Sequence, residues 1–228
     1  MIIAIIPARI GSKRIKKKNI KIFFKKPIIS YPINALKKSK IFDKIIVSSD
    51  SELVGKIAKG HGVDFYKRSK KLSGDTTSTR DVILDVIKRL KKNFINPTFV
   101  CCIYPTTPLI TSLDIKKSYQ LIKSKKNGYV FSAIKNSYPI QRSFFFNKRD
   151  GVKLISKKNY FKRSQDFKET FHDAGQFYWA RSQTWIKQEI VFNKNSKIYL
   201  LPLDKAYDID TYEDWRLVQK FYKIKNIS

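Results

Sequence analysis

Met1-Ile-Ile-Ala-Ile-Ile-Pro-Ala-Arg-Ile-Gly-Ser-Lys-Arg-Ile-Lys-Lys-Lys-Asn19 opens the chain, and its reading decides the rest. Ile2 to Ile6 is a short apolar run, β-branched except at Ala4. That is the pattern of a strand buried on both faces. Pro7, which can donate no ladder hydrogen bond, ends it. A loop follows with one glycine (Gly11), one hydroxyl (Ser12) and cations at Arg9, Lys13, Arg14 and Lys18. A strand feeding such a loop is a physical means of holding a polyphosphate. Backbone N–H groups come close where there is no side chain, and the cations neutralise the charge. A solvated lysine run after an N-terminal strand would account for Lys16 to Lys18 equally well.

The order of residues narrows the choice. G-x-x-x-x-G-K-[ST] is absent, so the loop is not a Walker P-loop. G-x-G-x-x-G is absent too, so it is not a dinucleotide fingerprint. The strand, then Pro7-Ala-Arg-Ile-Gly-Ser-Lys13, then Lys18-Asn19, resembles the opening motif of the CMP-sugar-acid synthetases, the acylneuraminate-type cytidylyltransferases. The resemblance implies a Rossmann-like α/β nucleotidyltransferase fold, with a mostly parallel mixed sheet between helices and a dimerisation arm.

A chain of 228 residues reads as one domain with a full core. No apolar run approaches the roughly 18 residues of a membrane span. The five-residue apolar start, with no basic segment before it, does not read as a signal peptide. Cys101 and Cys102 are adjacent in an apolar strand pattern and lack zinc spacing. They read as buried thiols of a reducing, cytoplasmic compartment. The formal net charge is +30. A charge of that size invites a nucleic-acid-binding reading, but the lysines are spread over helix faces and tails, not gathered into a stripe with exposed aromatics. Solvated faces, with some steering of anionic substrates, are expected instead.

Periodicity divides the remainder into alternating units. Pro27 to Ser39 has an amphipathic helix pattern with lysines at its C-terminal end. Ile45 to Val47 reads as a strand. Asp50 or Ser51 would cap a helix from Glu52 to Lys59, stopped by Gly60 and Gly62. Val63 to Tyr66 is a third strand. Residues 68–79 form a polar loop before a helix from Arg80 to Lys92, and Thr98 to Tyr104 is a central strand. Thr111-x-x-Asp114 is a capping box for a helix to Ser124. Tyr129 to Ile134 is a further strand. Ser143 to Leu154 reads as a hairpin turning at Asp150-Gly151, followed by a long polar segment, Ser156 to Thr170. Ile198 to Leu201 is a late strand, and Thr211-x-x-Asp214 opens a last helix, Tyr212 to Lys223. Regular alternation of strand and helix argues for βαβ units and a largely parallel sheet.

Three further blocks carry the resemblance. Pro105-Thr-Thr-Pro-Leu109 matches the family's P-T-S-P-L turn at a strand's carboxyl end, where open α/β sheets bind ligands. Tyr104 stands where sialic acid enzymes have glutamine. Phe171-His-Asp-Ala-Gly-Gln-Phe-Tyr-Trp179, with Pro139-Ile-Gln-Arg142 and Arg163-Ser-Gln-Asp166, is similar to the pseudaminic acid branch. Phe177 and Trp179 read as core, whereas His172, Asp173 and Gln176 need polar partners. Asp208-Ile-Asp-Thr211 puts two carboxylates on one side of an extended segment, a spacing that suits magnesium beside phosphate, or helix capping.

The resemblance implies transfer of CMP from CTP to the anomeric hydroxyl of a nonulosonic acid, pseudaminic acid by preference, with N-acylneuraminate and legionaminate as alternatives. In that reading Arg9, Lys13 and Lys18 hold phosphates. Gly11, Ser12, Asn19, Arg68 and Thr79 hold the loop, ribose or base. Tyr104, Gln141, His172, Asp173 and Gln176 face the sugar. Asp208 and Asp210 hold Mg2+, and Arg9, Lys18 and Asp210 act in catalysis. Residues 138–172 are the implied arm or acceptor-site insertion of a homodimer.

Overall fold

A computed structural model of the chain describes residues 1–124, 128–187 and 189–227. In chain order the elements are β1 (Ile2–Pro7), β2 (Ile22–Phe23), β3 (Lys26–Pro27), α1 (Ser30–Ser39), β4 (Lys44–Ser49), α2 (Glu52–Gly60), β5 (Asp64–Lys67), α3 (Thr79–Lys92) and β6 (Phe99–Ile103). There follow α4 (Ser112–Lys123), β7 (Tyr129–Lys135), β8 (Phe144–Asn147), β9 (Gly151–Leu154), β10 (Phe171–Arg181), α5 (Ser182–Ile186), β11 (Lys197–Leu200) and α6 (Tyr212–Ile227).

Seven strands form one sheet in the order β11-β7-β10-β6-β1-β4-β5. β1 pairs parallel with β4 and β6, β4 with β5, and β11 with β7. β10 alone runs against its neighbours β6 and β7. The sheet is therefore mixed and mostly parallel, as the alternating pattern requires. Its two faces follow from the period-two alternation of the central strands. Ala4, Ile6, Cys101 and Ile103 enter one core with Ile33, Leu36, Val54 and Ile115 of α1, α2 and α4. Ile3, Ile5, Val100 and Cys102 enter the other with Ile83, Val86, Leu90 and Trp185 of α3 and α5. Both cysteines are free and fully buried. Burial pushes both thiols above their usual range. Phe177 and Trp179 are core residues, and the Trp179 indole donates to Ser118 Oγ at 3.0 Å.

The expected capping boxes form. Thr111 and Asp114 cap α4 reciprocally, and Asp214 accepts from the backbone N–H groups of Asp210 and Thr211 at the start of α6. The hairpin β8–β9 pairs as expected. Three expectations need correction. The helix expected from Pro27 begins at Ser30, because Pro27 pairs with Ile22 in a two-residue hairpin. Neither Asp50 nor Ser51 caps α2 with its side chain. The Asp50 carboxylate instead accepts from Ile10 N at 3.0 Å, a tertiary bond that fastens the loop after β1. The last helix runs on past Lys223 to Ile227.

β7 enters the sheet through Gly128, whose φ of +85° lies in the left-handed region. A Cβ there would lie 2.5 Å from the Asn195 carbonyl oxygen of the chain leading to β11. Backbone strain and a backbone clash then act together. Gly128→Ala is expected to cost about 2–3 kcal/mol. A urea titration checks this, with the midpoint falling and the slope unchanged. A midpoint equal to the parent's would contradict the close approach.

Candidate functional site

A cavity of about 640 Å³ opens at the carboxyl ends of β1, β5 and β6, and the segment after β11 closes one side. Its lining includes Arg9, Ser12, Lys13, Lys18, Asn19, Arg68, Thr79, Tyr104, Asp208 and Asp210. Residues from four separate stretches of sequence thus meet where a parallel sheet leaves its strand ends free.

The turn after β1 is tied together by its own hydrogen bonds. Ser12 Oγ accepts from Lys18 N at 3.1 Å, and the Asn19 amide donates to the Arg9 carbonyl at 2.8 Å. Ile15 is buried beneath it. Lys17 takes a left-handed conformation with φ of 52°, which turns the chain into the Lys18–Ile20 helical turn. Gly11 lies on this turn, exposed and outside the cavity lining. Its backbone is ordinary, and among the described residues other than its two chain neighbours no atom lies within 4 Å of where a Cβ would stand. Nothing inside the chain therefore demands glycine at that position.

Arg68 is buried, and its guanidinium donates to Ser48, from Nη2 to the carbonyl at 2.7 Å and from Nε to carbonyl and Oγ at 3.1 Å. Burial lowers its pKa to about 10, still well above neutrality, so the site keeps a fixed charge. The Thr79 hydroxyl bonds the Tyr104 hydroxyl at 3.0 Å. Burial, and then nearby ionisable groups, push the Tyr104 phenol up to about 12. It is a neutral hydrogen-bonding wall at physiological pH.

Asp208 and Asp210 flank Ile209, which is fully buried with Ile15, Phe23, Leu109 and Trp215. The central isoleucine anchors the segment while both carboxylates line the cavity. Asp210 pairs with Arg14 at 2.8 Å and with Lys18 at 3.3 Å, and Lys18 Nζ also donates to the Ile209 carbonyl. Asp214, not Asp210, caps α6, so Asp210 is free to face the cavity. Burial, then the charge of Asp210, hold the Asp208 carboxyl above its usual range.

Besides Gly11, four candidates lie outside the lining of this cavity. His172 Nδ1 meets Asn136 Oδ1 at 2.6 Å on an exposed stretch of β10. Gln141 sits in a helical turn ahead of β8. Asp173 accepts from the Tyr178 hydroxyl at 2.6 Å and from Gly175 N at 2.9 Å, clamping a bulge in which the β10–β7 register shifts. Gln176 is 2% exposed, and its amide donates to the Ala174 carbonyl at 2.7 Å and the Tyr207 carbonyl at 3.3 Å. The polar partners that these two side chains need are supplied from within the fold.

The sequence profile of the cytidylyltransferases matches residues 3–227. The chain belongs to the cytidylyltransferase family. It is 37% identical over 227 residues to the pseudaminic acid cytidylyltransferase of Campylobacter jejuni, covering 99% of this chain and 98% of that one. It is 34% identical over 220 residues to a two-activity Helicobacter pylori protein, "Pseudaminic acid cytidylyltransferase and UDP-2,4-diacetamido-2,4,6-trideoxy-beta-L-altropyranose hydrolase", covering 95% of this chain and 42% of that one. Among solved structures, CMP:2-keto-3-deoxy-manno-octonic acid synthetase complexed with CTP has a TM-score of 0.74 at 14% identity, covering 98% of this chain and 99% of that chain. At that identity the likeness is one of fold.

Arg14, read from the sequence as one of the loop cations, also lines the cavity of this cytidylyltransferase, and so does Asp75, which sequence alone did not single out. Asp75 forms ion pairs with both Arg9 and Lys13. An acid in the polar loop 68–79 was a visible signal, but its partners lie far away in sequence. Asp208 yields a test of the site's electrostatics. Because its folded pKa is raised, the ionised form weakens the fold. The penalty starts as pH climbs past the unfolded value and is complete above the folded one. Asp208→Asn, measured in chelator, is therefore expected to melt higher than the parent at pH 7. The gain should vanish below the ordinary aspartate value of 3.8. An unchanged or lower melting temperature at pH 7 would contradict the reading.

Proposed function

We propose that this chain transfers CMP from CTP to the anomeric hydroxyl of a nonulosonic acid, pseudaminic acid by preference, releasing pyrophosphate. The observation that carries it is a single cavity uniting a cationic turn, a buried arginine and a carboxylate pair at the sheet's carboxyl edge. The full-length similarity to a pseudaminic acid cytidylyltransferase supports the choice of acceptor.

Arg9, Lys13 and Lys18 hold the triphosphate by charge-assisted bonds. Ser12 and Asn19 keep that turn in shape, and Gly11 leaves it open to a ligand. Arg68 and Thr79 meet the ribose or cytosine. Tyr104, fixed by Thr79, borders the acceptor with its ring. His172 and Gln141 border the acceptor's approach from the arm side. Asp173 and Gln176 act on the acceptor end by fixing the β10 bulge.

The carboxylates of Asp208 and Asp210 fit a magnesium ion. Both offer hard oxygens, and the burial and then the repulsion from Asp210 that raise Asp208 are what a divalent cation offsets. Among the described residues no group of three or more acidic, His or Cys side chains forms a closed metal cage. Magnesium needs no such cage, because phosphates complete its shell. When bound there, the ion would neutralise charge on the phosphates. Lys18, bonded to the Ile209 carbonyl and paired with Asp210, bridges the cationic turn and the carboxylates. Asp210 also accepts the proton of the attacking hydroxyl.

Pyrophosphate release from CTP across a panel of nonulosonic acids tests the whole reading. The largest kcat/KM is expected with pseudaminic acid, CTP is expected to outpace UTP and ATP, and excess EDTA should abolish turnover. Asp210→Asn should lower kcat by at least about 100-fold, a loss of roughly 2.7 kcal/mol. Faster turnover of N-acetylneuraminate would overturn the acceptor, and equal rates with UTP would overturn the nucleotide.

The functional unit in this reading is a homodimer, in which the segment 138–172 reaches a second copy. Its support is the β8–β9 hairpin with the turns after it. Phe144, Phe145 and Phe146 are all exposed, with Phe146 at 69% and Phe161 at 92%. Exposed aromatics in such number mark an association surface. Replacing Phe145 and Phe146 together with Glu should halve the mass seen by light scattering while the melting transition persists. A parent that is monomeric at micromolar concentration would exclude this role for the arm.

A further inference from the structure

The cations of the phosphate turn are not bare. Asp75 bridges them: its Oδ1 is ion-paired with Arg9 Nη1, and its Oδ2 with Lys13 Nζ at 2.6 Å. The bridge joins segments 66 residues apart in sequence. Asp75 lines the cavity and is about half exposed. Both cations hold its carboxyl down at a pKa of about 2.

The loop that carries Asp75 is fastened at its ends. Arg68 N donates to the Ser49 carbonyl at 2.8 Å, and Ser78 caps α3 by accepting from Asp81 N at 3.1 Å. Between them the chain folds on itself, with Ser73 Oγ bonded to the Ser69 carbonyl at 2.9 Å and Thr77 N to the Gly74 carbonyl at 3.3 Å. The middle of the loop can therefore shift without loosening its ends. A carboxylate sharing its two oxygens between two cations mimics two phosphate oxygens. The carboxylate and a polyphosphate cannot hold the same two cations together, because like charges at that range repel.

We propose that Asp75 is a displaceable counter-anion: it yields Arg9 and Lys13 to the triphosphate of CTP and takes them back as pyrophosphate leaves. This rests on the cytidylyltransferase reading above. The exchange lowers affinity for CTP and for pyrophosphate alike, and it spares the departing product the cost of leaving two cations unpaired. Two exposed ion pairs correspond to a roughly 3- to 10-fold change in binding.

Calorimetric titration of the full chain with inorganic pyrophosphate, CTP and cytidine provides the test. Asp75→Asn is expected to bind pyrophosphate and CTP about 3- to 10-fold more tightly and cytidine unchanged. Pyrophosphate should become a correspondingly stronger product inhibitor, and added salt should shrink the difference. Equal or weaker binding of pyrophosphate by Asp75→Asn overturns the inference, whatever the turnover. Arg9→Ala in the Asp75→Asn background should remove the gain; if the gain survives, the exchange does not occur on Arg9 and the inference fails, while CTP turnover by the parent leaves the functional reading standing. A parent that neither binds CTP nor releases pyrophosphate from it brings down the functional reading, and this inference with it.

Discussion

Ile15 and Ile209 lie in the same buried cluster, and the site depends on that shared burial. The first belongs to the cationic turn after β1, the second stands between Asp208 and Asp210, and nearly two hundred residues separate them. Each buried isoleucine contributes on the order of 1.5–3 kcal/mol relative to an exposed one. The ion pairs between Lys18, Arg14 and Asp210 are partly exposed and individually weak. Hydrophobic burial therefore sets the distance between cations and carboxylates, and the charges use a spacing that they do not create. Trp215 and Phe23 close the same cluster and join α6 to the small hairpin that leads into α1.

The antiparallel strand β10 makes the second link. Its bulge, with Gly175 at a φ of +61°, brings the chain beside Asp208: a Cβ on Gly175 would stand 3.9 Å from Asp208 Oδ2. The Gln176 amide reaches the Tyr207 carbonyl, and the Gln176 carbonyl accepts from Tyr104 N at 3.0 Å. One buried residue thus ties the carboxylate segment to the wall formed by Tyr104. A reversed strand between parallel neighbours is what allows this bulge to face the cavity end of the sheet.

What could be read in advance was what is local. The alternation of strands and helices, both capping boxes and the β8–β9 hairpin are written in spacings of a few residues, and they formed. The family motifs also pointed to Arg9, Lys18, Arg68 and the aspartate pair, which share one cavity. Long-range partnership was not legible. Asp50 has the right type and place to cap α2, yet the Ile10 amide claims its carboxylate. Asp173 and Gln176 were rightly seen to need polar partners, but those partners are backbone groups of the bulge, the Tyr178 hydroxyl and the Tyr207 carbonyl, which no spacing announces. The antiparallel course of β10 was hidden for the same reason, since direction is a property of the assembled sheet. The +30 charge, by contrast, said little about the cavity, where cations and acids are paired.

Cys101 and Cys102 carry a different consequence. They are neighbours in β6, yet they face opposite layers, one under α1 and α4 and the other under α3. Alternation of side chains along a strand keeps the two sulfurs from joining, and burial keeps both protonated. An alkylating reagent can reach one only where the helices on that side lift away. The pair is a built-in reporter with two channels, in which the order of modification tells which layer of the molecule peels from the sheet first.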